Sequence, residues 1–505
     1  MQPSARHDLT PSVSFDGGDL DCGNGLLLLI RRHIDPLDRG QLLEIRSTES
    51  SVDEELPAWC RMTGNELVSW TRHGVQRSFL VCKGALAEQR AAGVAAEPVV
   101  RASSSRVASA PLASSNALAP RAPLPPLAVT GIGSWPRPRW LLKAIHEHME
   151  GRLSEAEFQA TADDAVRLAV EAQLRAGVDL VTDGEQRRDG YASFVGGRLD
   201  NCQLIPLTDL LPLVDDPEEF ERELRALDVP AADVRHPAVF GPLVRTRSIA
   251  AHELAFVQHI TAQPAKVALP GPYLLTRTMW MECISDRAYE SRESLADDIV
   301  RVLREELQDL LARGAAIVQF DEPVLSEVVF GGAAQQRSFM CGALGAKRPM
   351  AEELEFAGEL IRRVVAGVPR ERTALHICRG NWTRDESVAL SGDYRPLVPL
   401  LKSLALGTYF LELCTPRAGE LEVLAELPAE SRIGVGVVNQ KLDSIESVDE
   451  IVAKTRRAVE LFGRDRVLLT PDCGFATFAD NPISSAEVAE QKLTAIASAA
   501  RRLRS

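Results

Sequence analysis

The chain alternates short apolar runs with amphipathic stretches, a pattern typical of strands that alternate with helices in a parallel α/β protein. In the second part of the chain we predict strands at 129–133, 178–182, 238–240, 266–269, 316–320, 373–378, 408–413, 433–438 and 467–470. Polar residues cluster just past the carboxyl ends of these runs, which is where barrel enzymes build their active sites. We therefore predict a (β/α)8 TIM barrel for residues 129–505, with the run at 238–240 lying outside its eight places.

A smaller α/β unit is predicted before this barrel. Its elements follow the order strand, helix, strand, helix, strand, strand, with a strand and turn at 15–21 and further runs at 26–34, 41–47, 51–59, 66–70 and 77–82. Residues 86–128 are rich in alanine, serine, proline and valine and poor in aromatic residues, as flexible linkers are. The predicted domains are thus a two-layer α/β unit at 1–85, a linker at 86–128 and the barrel.

Composition narrows the set of partners. The formal net charge is -14 and the pI is about 5.3, which argues against nucleic acid or an anionic membrane as the main partner. The longest aliphatic cluster, Leu26 to Ile30, is far shorter than a membrane span, and the N-terminus lacks an apolar signal core. Nine cysteines without a compact framework are typical of a reducing compartment. We expect a cytoplasmic protein whose thiols serve as ligands or nucleophiles.

Three predicted strand ends carry metal-binding residue types. His376 and Cys378 are two apart on a strand and therefore share a face, but buried histidines and cysteines are also ordinary core residues. Glu412 lies inside a later apolar run, where an ionised carboxylate is rare unless it is paired or bound to a metal. Cys473 follows another run just before a glycine turn. Together these four side chains predict a zinc site, because zinc prefers nitrogen, sulfur and oxygen ligands.

These motifs resemble those of a known family. The His-x-Cys pair, the glutamate inside a strand and the Pro-Asp-Cys-Gly string at 471–474 are similar to the zinc-binding motifs of the cobalamin-independent methionine synthases, in their catalytic C-terminal barrel. Shorter relatives, including the epoxyalkane:coenzyme M transferases, are also similar. The resemblance implies a TIM barrel with Zn²⁺ that transfers a methyl or alkyl group to homocysteine or a related small thiol. Methylfolate is one candidate donor.

Further motifs of the same family imply substrate contacts. Ser134, in Ile-Gly-Ser-Trp-Pro, matches a serine that contacts the thiol substrate, although a simple turn would explain it too. Glu185 and Asp321 match two acids that hold the amino group of homocysteine. Two carboxylates at a barrel mouth can also act in acid/base chemistry or pair with arginines such as Arg187. Lys441 replaces the family's histidine acid, so Lys441 or a carboxylate such as Asp321 is the candidate that protonates the leaving group.

The first unit resembles the TusA-like sulfur-carrier domain in its order of elements and in its Leu-Glu-Ile, Leu-Pro-Ala-Trp and Gly-Asn-Glu-Leu-Val strings. The resemblance implies that Cys22 carries a persulfide, and a helix N-terminus suits a reactive thiolate. Cys22 is followed by Gly-Asn-Gly where that family has Pro-x-Pro. Cys60 and Cys82 are expected in the core.

Three hypotheses of function follow. The chain is a zinc-dependent thiol alkyltransferase; or it is a sulfur-transfer enzyme in which sulfur carried on Cys22 reaches a substrate carbon in the barrel. In the third hypothesis the first unit is only a docking module that recruits a sulfurtransferase. The second and third imply a cysteine desulfurase or another sulfur-relay protein as partner.

Overall fold

The first unit of the structure is a four-stranded sheet with two helices. The structure is a computed structural model that describes residues 6–21, 25–87, 123–149, 151–206, 235–280, 285, 288–331 and 348–505. The first unit contains β1 (Val13–Asp16), α1 (Leu27–Ile34), β2 (Leu42–Ser47), α2 (Val52–Thr63), β3 (Glu66–His73) and β4 (Gln76–Cys82). The sheet order is β1-β2-β4-β3, in which only the β1–β2 pair is parallel. The predicted order of elements is confirmed.

Alternation along the strands builds the core of this unit. Phe15, Leu43, Ile45, Phe79 and Val81 are buried with apolar residues of α1 and α2, because alternate side chains of a strand point to one face. Helix α2 begins with three acidic residues in its first turn and ends at Gly64, whose left-handed conformation (φ 70°) suits glycine. Cys60 and Cys82 are buried, as the sequence predicted.

The second unit continues the alternation of strands and helices. Its strands are β5 (Asp200–Pro206), β6 (Arg235–Val244), β7 (Lys266–Pro270), β8 (Ile317–Asp321), β9 (Thr373–Ile377), β10 (Thr408–Leu411), β11 (Arg432–Val438) and β12 (Val467–Pro471). Its helices are α3 (Arg139–Met149), α4 (Glu155–Ala176), α5 (Ala251–Ile260), α6 (Pro272–Met279), α7 (Arg292–Ala312), α8 (Val324–Phe330), α9 (Met350–Val365), α10 (Val398–Ser403), α11 (Val448–Phe462) and α12 (Ala486–Arg504). Capping boxes at Ser154 and Ser447 begin α4 and α11.

The parallel strands pair in chain order. Strands β7 to β12 form one sheet in which each strand lies beside the next along the chain. Parallel bridges then join Leu469 to Val129, Thr130 to Leu180, and Val181 to Ala265. The pairing therefore returns through the segments at 129–130 and 180–181 to the residue just before β7. Strand β6, which contains the run at 238–240, pairs only with β5 among the described strands and lies outside this ring, as predicted.

The two units contact each other through the β5–β6 hairpin. Gln203 Nε2 donates to the Arg31 carbonyl oxygen (2.8 Å) and to Asp35 Oδ2 (2.9 Å), both at the end of α1. Arg32 donates to the Phe240 carbonyl oxygen (3.2 Å), and its guanidinium lies 5.4 Å from the Phe240 ring centroid. Ile205, Ala238 and Phe240 belong to the same apolar cluster as the core of the first unit. The first unit is thus packed against the second one.

The end of the predicted linker is part of the second unit. Leu127 and Ala128 are buried, and the Arg504 side chain donates to the carbonyl oxygens of Pro126 and Leu127. Most of the remaining linker, residues 88–122, lies outside the described residues. None of the described helices combines the length and the apolar character that crossing a membrane requires.

Candidate active site

Three predicted metal ligands meet at the carboxyl ends of β9 and β12. The ligand atoms of His376, Cys378 and Cys473 all lie within 4.8 Å of one another, and all three residues are buried. The distance between Cys473 Sγ and His376 Nε2 is 3.5 Å. Ligand atoms of a tetrahedral zinc site with bonds of about 2.0–2.3 Å are roughly 3.5 Å apart, so the Cys473–His376 pair has the spacing that zinc requires and Cys378 lies close to it.

Neighbouring groups influence the protonation states of these three donors. His376 Nδ1 contacts the Phe410 carbonyl oxygen at 3.2 Å, which makes Nδ1 the protonated nitrogen and leaves the Nε2 lone pair for a metal. A hydrogen bond from Cys473 and the neighbouring His376 hold the pKa of Cys378 well below its usual value against the effect of burial. The same hydrogen bond, together with burial, raises the pKa of Cys473. One thiol of the pair is therefore poised as a thiolate.

The structure does not bring the fourth predicted ligand, Glu412, into this group. Its Oε1 accepts from Arg417 Nη2 (2.8 Å) and Nε (3.0 Å), and its Oε2 accepts from the Arg379 backbone N–H (2.8 Å). The carboxylate is nearly fully buried, and its charge is paired with a guanidinium instead of facing the three donors. The buried carboxylate does have a charged partner, and that partner is Arg417, five residues further along the chain.

One pocket unites the metal ligands with the predicted substrate contacts. Its lining consists of Ile132, Ser134, Glu185, Tyr191, Asp321, Pro323, His376, Cys378, Asn381, Trp382, Cys473, Gly474, Thr477 and Phe478. Ser134 lies in the first strand-end loop, where its Oγ accepts from the Ala476 N–H (3.3 Å). The three predicted substrate-contact residues and the three donors therefore share one pocket, although their side chains come from five separate strand ends.

Glu185 has the features of a ligand-binding carboxylate. It is buried in the left-handed region (φ 55°), where a residue other than glycine is strained. Its Oε2 has no hydrogen-bond partner among the residues that the structure describes. Burial raises the pKa of Glu185 to about 7; Arg188 opposes this effect, and Asp321 and Asp183 add to it. An unpartnered buried carboxylate at a pocket wall suits a cationic ligand.

Asp321 and its neighbour Glu322 have different surroundings. Asp321 lines the pocket, and its Oδ1 accepts from Gln319 Nε2 (2.6 Å). Burial raises the pKa of Asp321, against the effects of His376, Gln319 and Lys266. Glu322 instead accepts from the backbone N–H groups of Tyr273 (2.8 Å) and Leu274 (2.9 Å) and so caps the start of α6. The Asp-Glu-Pro string therefore combines a pocket side chain with a structural cap.

The arginines have other partners than the sequence suggested. Arg187 is bound to Asp163 and Gln159 and does not line the pocket. Arg188 forms a long ion pair with Glu185, with 3.9 Å between Nη1 and Oε1, but its stronger partner is Glu253 at 2.6 Å. Adjacent arginines on a turn point in different directions, and sequence alone does not show which one faces the site.

Lys441 is buried and is not among the pocket-lining residues of the described chain. Burial lowers its pKa, and the charges of Glu412, Cys378 and Cys473 oppose that effect. It is thus within electrostatic range of the donors. Cys22, the candidate persulfide carrier, lies outside the described residues.

Several residues that the sequence did not single out hold the loops of the site together. Asn381 Nδ2 donates to the Gly474 carbonyl oxygen and to Thr477 Oγ1 (2.7 Å each), which ties the loop after β9 to the loop after β12. Arg137 donates to the carbonyl oxygens of Glu185 (2.7 Å) and Ala476 (3.1 Å). Asp472 Oδ1 accepts from the N–H groups that follow Glu412. Only the polar character of strand-end residues could have indicated them.

Two aromatic side chains of the pocket also pack against the apolar cluster that joins the two units. Trp382 and Phe478 line the pocket and pack against the apolar cluster that contains the core of the first unit. Asn481 Nδ2 donates to the Trp382 carbonyl oxygen (2.9 Å) and so holds this loop in place. The cluster between the units therefore extends to the wall of the pocket.

The pairing of the strands and the site define a parallel α/β protein with a thiolate–imidazole group beside two buried carboxylates. Residues 127–209 and 227–501 match the sequence model of the family "Cobalamin-independent synthase, Catalytic domain". The match covers more than half of the chain, and the protein belongs to this family. Membership indicates a methyltransferase of the methionine synthase type. The first 126 residues lie outside the matched ranges.

Individual relatives agree with the family. The chain is 25% identical over 374 residues to a methionine synthase of Saccharolobus solfataricus, across 74% of this chain and 93% of the relative. It is 26% identical over 349 residues to a methionine synthase of Sulfolobus acidocaldarius, across 69% and 85%. Among solved structures, a B12-independent methionine synthase from Shewanella sp. W3-18-1 in complex with selenomethionine has a TM-score of 0.57 at 24% identity, covering 75% of this chain and 98% of that one. This likeness shows the fold.

Proposed function

We propose that the protein is a zinc-dependent transferase that moves a methyl or alkyl group to the sulfur of homocysteine or a closely related amino thiol. The observation that carries this proposal is the meeting of His376, Cys378 and Cys473 in one pocket with Glu185 and Asp321. Methylfolate is one candidate donor. The barrel assignment is part of the proposal: the parallel pairing that returns to its start is what a closed (β/α)8 barrel requires.

His376, Cys378 and Cys473 would hold the zinc ion. Three protein ligands with a fourth position open are typical of catalytic zinc sites. With Glu412 paired with Arg417, a substrate sulfur would complete the ligand set. When bound, zinc supplies a positive charge that favours the thiolate form of a substrate thiol at neutral pH.

The remaining pocket residues orient the substrate. Glu185, with its unpartnered Oε2, and Asp321 offer carboxylate oxygens to the ammonium group of an amino thiol. Ser134 offers a hydroxyl group on the neighbouring wall. Tyr191, Trp382 and Phe478 shield the pocket from water, which keeps a thiolate nucleophilic. Lys441, whose charge interacts with Cys378 and Cys473, is the candidate that returns a proton to the leaving group.

A metal-reconstitution experiment tests this function. The purified full chain is stripped of metal, loaded with zinc, and assayed for homocysteine methylation with methyltetrahydrofolate and with simpler methyl donors. We expect one zinc per chain and zinc-dependent loss of the free thiol. A metal-free protein with full activity would contradict the proposal, as would a zinc-loaded protein that binds no thiol.

The sulfur-transfer and docking hypotheses stay predictions, because Cys22 lies outside the described residues. The test is the mass of the Cys22 peptide after incubation with a cysteine desulfurase and cysteine. The addition of one sulfur atom to Cys22, followed by its loss when a substrate that accepts sulfur on a carbon atom is supplied, would favour the sulfur-transfer hypothesis. A thiol that stays unmodified would contradict the carrier hypothesis. A desulfurase that still binds the Cys22→Ala variant would favour a docking module.

A further inference from the structure

A buried lysine lies next to the substrate pocket. Lys266, the first residue of β7, is only 1% exposed, and its Nζ lies 4.8 Å from the centroid of the Phe410 ring. The ammonium group donates hydrogen bonds to the Ile132 carbonyl oxygen and to Gln319 Oε1. Both acceptors are neutral. A buried ammonium group is stable only when a negative charge compensates it, so the neighbouring acids are part of its environment.

Those acids are the two carboxylates of the pocket. Asp321 and Glu185 are the charged groups that favour the ionised form of Lys266, while burial lowers its pKa to about 7. Two buried arginines also act on Glu185: Arg188, which is bound to Glu253 at 2.6 Å, and Arg137. The ammonium group of a ligand placed between the two carboxylates would interact favourably with both.

Gln319 connects the lysine to Asp321. An ammonium group can only donate hydrogen bonds, so it fixes the oxygen end of the Gln319 amide. The amide nitrogen must then point the other way, and it donates to Asp321 Oδ1 at 2.6 Å. Without the lysine the amide oxygen loses its donor, and Asp321 alone fixes the orientation of the amide. Lys266 thus helps to hold Gln319 in the orientation that donates to Asp321.

The second hydrogen bond of Lys266 reaches the opposite wall. Ile132 lines the pocket two residues before Ser134, and its carbonyl oxygen accepts from Lys266 Nζ. Gly133, between these two residues, packs so closely against Glu185 that a Cβ at this position would overlap Glu185 Oε1. One buried side chain therefore ties the loop that carries Ser134 to the strand that carries Asp321.

We propose that Lys266 is a positioning residue for an ammonium-binding subsite, which it builds through Gln319 and Asp321 on one side and the Ile132–Ser134 loop on the other. The subsite takes the amino group of the thiol substrate between Glu185 and Asp321. This inference rests on the proposed function and deepens it, because it separates recognition of the amino group from recognition of the sulfur. The charged groups that face the subsite are Lys266, Arg137, Arg188, Asp183, Glu185, Asp321 and His376.

The test compares two ligands on the zinc-loaded full chain by calorimetry. Homocysteine carries the amino group, and 4-sulfanylbutanoate is the same thiol acid without it. In Lys266→Met we expect homocysteine to bind about 10-fold more weakly or worse, with unchanged affinity for 4-sulfanylbutanoate and unchanged zinc content. Gln319→Leu keeps the lysine but breaks the link and is expected to give a smaller loss of the same kind.

Lys492→Met is the matched control, because Lys492 is equally buried but bound to Glu446 and Ser444 away from the pocket. It should leave both affinities unchanged. Equal losses for both ligands in Lys266→Met and Gln319→Leu would overturn the proposal, as would no loss in Gln319→Leu if Lys266→Met does not fold. A wild-type protein that binds both thiols equally would overturn the subsite alone. One that binds neither would overturn the proposed function and, with it, this inference.

Discussion

Two buried cysteines, one in each unit of the chain, have opposite surroundings. In the first unit, burial raises the pKa of Cys60 to about 12, so its thiol behaves as a small apolar side chain. In the second unit, Cys378 is equally buried, but its hydrogen bond with Cys473 and the nearby His376 hold its pKa well below the usual value. Burial alone therefore does not make a thiol reactive; donors that converge on its sulfur do.

The largest effect is expected from removing a thiolate of the metal group. Cys473→Ser replaces a soft ligand by a hydroxyl that binds zinc weakly, so we expect loss of stoichiometric zinc and a fall in turnover of at least about 10³-fold. Metal content and steady-state assays on the full chain measure both. Cys60→Ser is the matched control in the other unit and should retain zinc. Stoichiometric zinc in Cys473→Ser would break the contrast between the two cysteines.

A second test separates a metal ligand from a structural acid. Glu412→Gln removes the charge that pairs with Arg417 but keeps an oxygen for the Arg379 N–H. We expect a loss of about 2–4 kcal/mol in the free energy of unfolding, since the guanidinium stays largely buried, with unchanged zinc content. Urea denaturation and metal analysis measure the two quantities. Loss of zinc with unchanged stability would instead make Glu412 the fourth ligand, as the sequence suggested.

The hairpin between the two units gives a pH-dependent effect. Burial lowers the pKa of His236 on β6 to about 4 from 6.5. The unfolded chain therefore takes up a proton below pH 6.5 that the folded chain refuses until about pH 4. The contribution of neutral His236 to the free energy of unfolding is therefore fully present above about pH 6.5. It falls by up to about 3 kcal/mol as the pH is lowered from 6.5 to 4. Urea midpoints across this range should show a shallower fall in His236→Gln. An identical slope in both proteins would contradict this assignment.

The smallest expected effect concerns the contact between the units. Gln203→Ala removes two hydrogen bonds to the end of α1 and should cost about 1–2 kcal/mol of docking free energy. Hydrogen exchange of the α1 amides should become faster while zinc content is kept. Gln263→Ala also removes two bonds to carbonyl oxygens, but inside the second unit, and should leave α1 exchange unchanged. Unchanged exchange in Gln203→Ala would mean that the hairpin does not hold the first unit.

The sequence predicted the elements well because hydrophobic periodicity determines them locally. The strand runs from 266 onward and the strand–helix order of the first unit all appear in the structure. His376, Cys378 and Cys473 could be predicted because strand spacing and residue type define their chemistry. Glu412 was predicted to be a buried carboxylate with a partner, and the structure pairs it with Arg417. Its role as a zinc ligand stays a prediction.

Residues that act across the sheet were missed for the same reason. Lys266, Gln319 and Asn381 acquire their roles only when several strand ends meet, and nothing in their local sequence distinguishes them from other polar residues in strands and loops. The packing of Trp382 and Phe478 against the cluster between the units was likewise not predictable, because the residues of that cluster are far apart along the chain.

The most direct test of the central claim is X-ray absorption at the zinc edge, on the reconstituted full chain with and without homocysteine. We expect the zinc ion of the free protein to have two sulfur ligands and one imidazole, from Cys378, Cys473 and His376. A third sulfur ligand should appear once homocysteine is bound. A zinc ion without sulfur ligands, or a coordination shell that homocysteine leaves unchanged, would contradict the central claim.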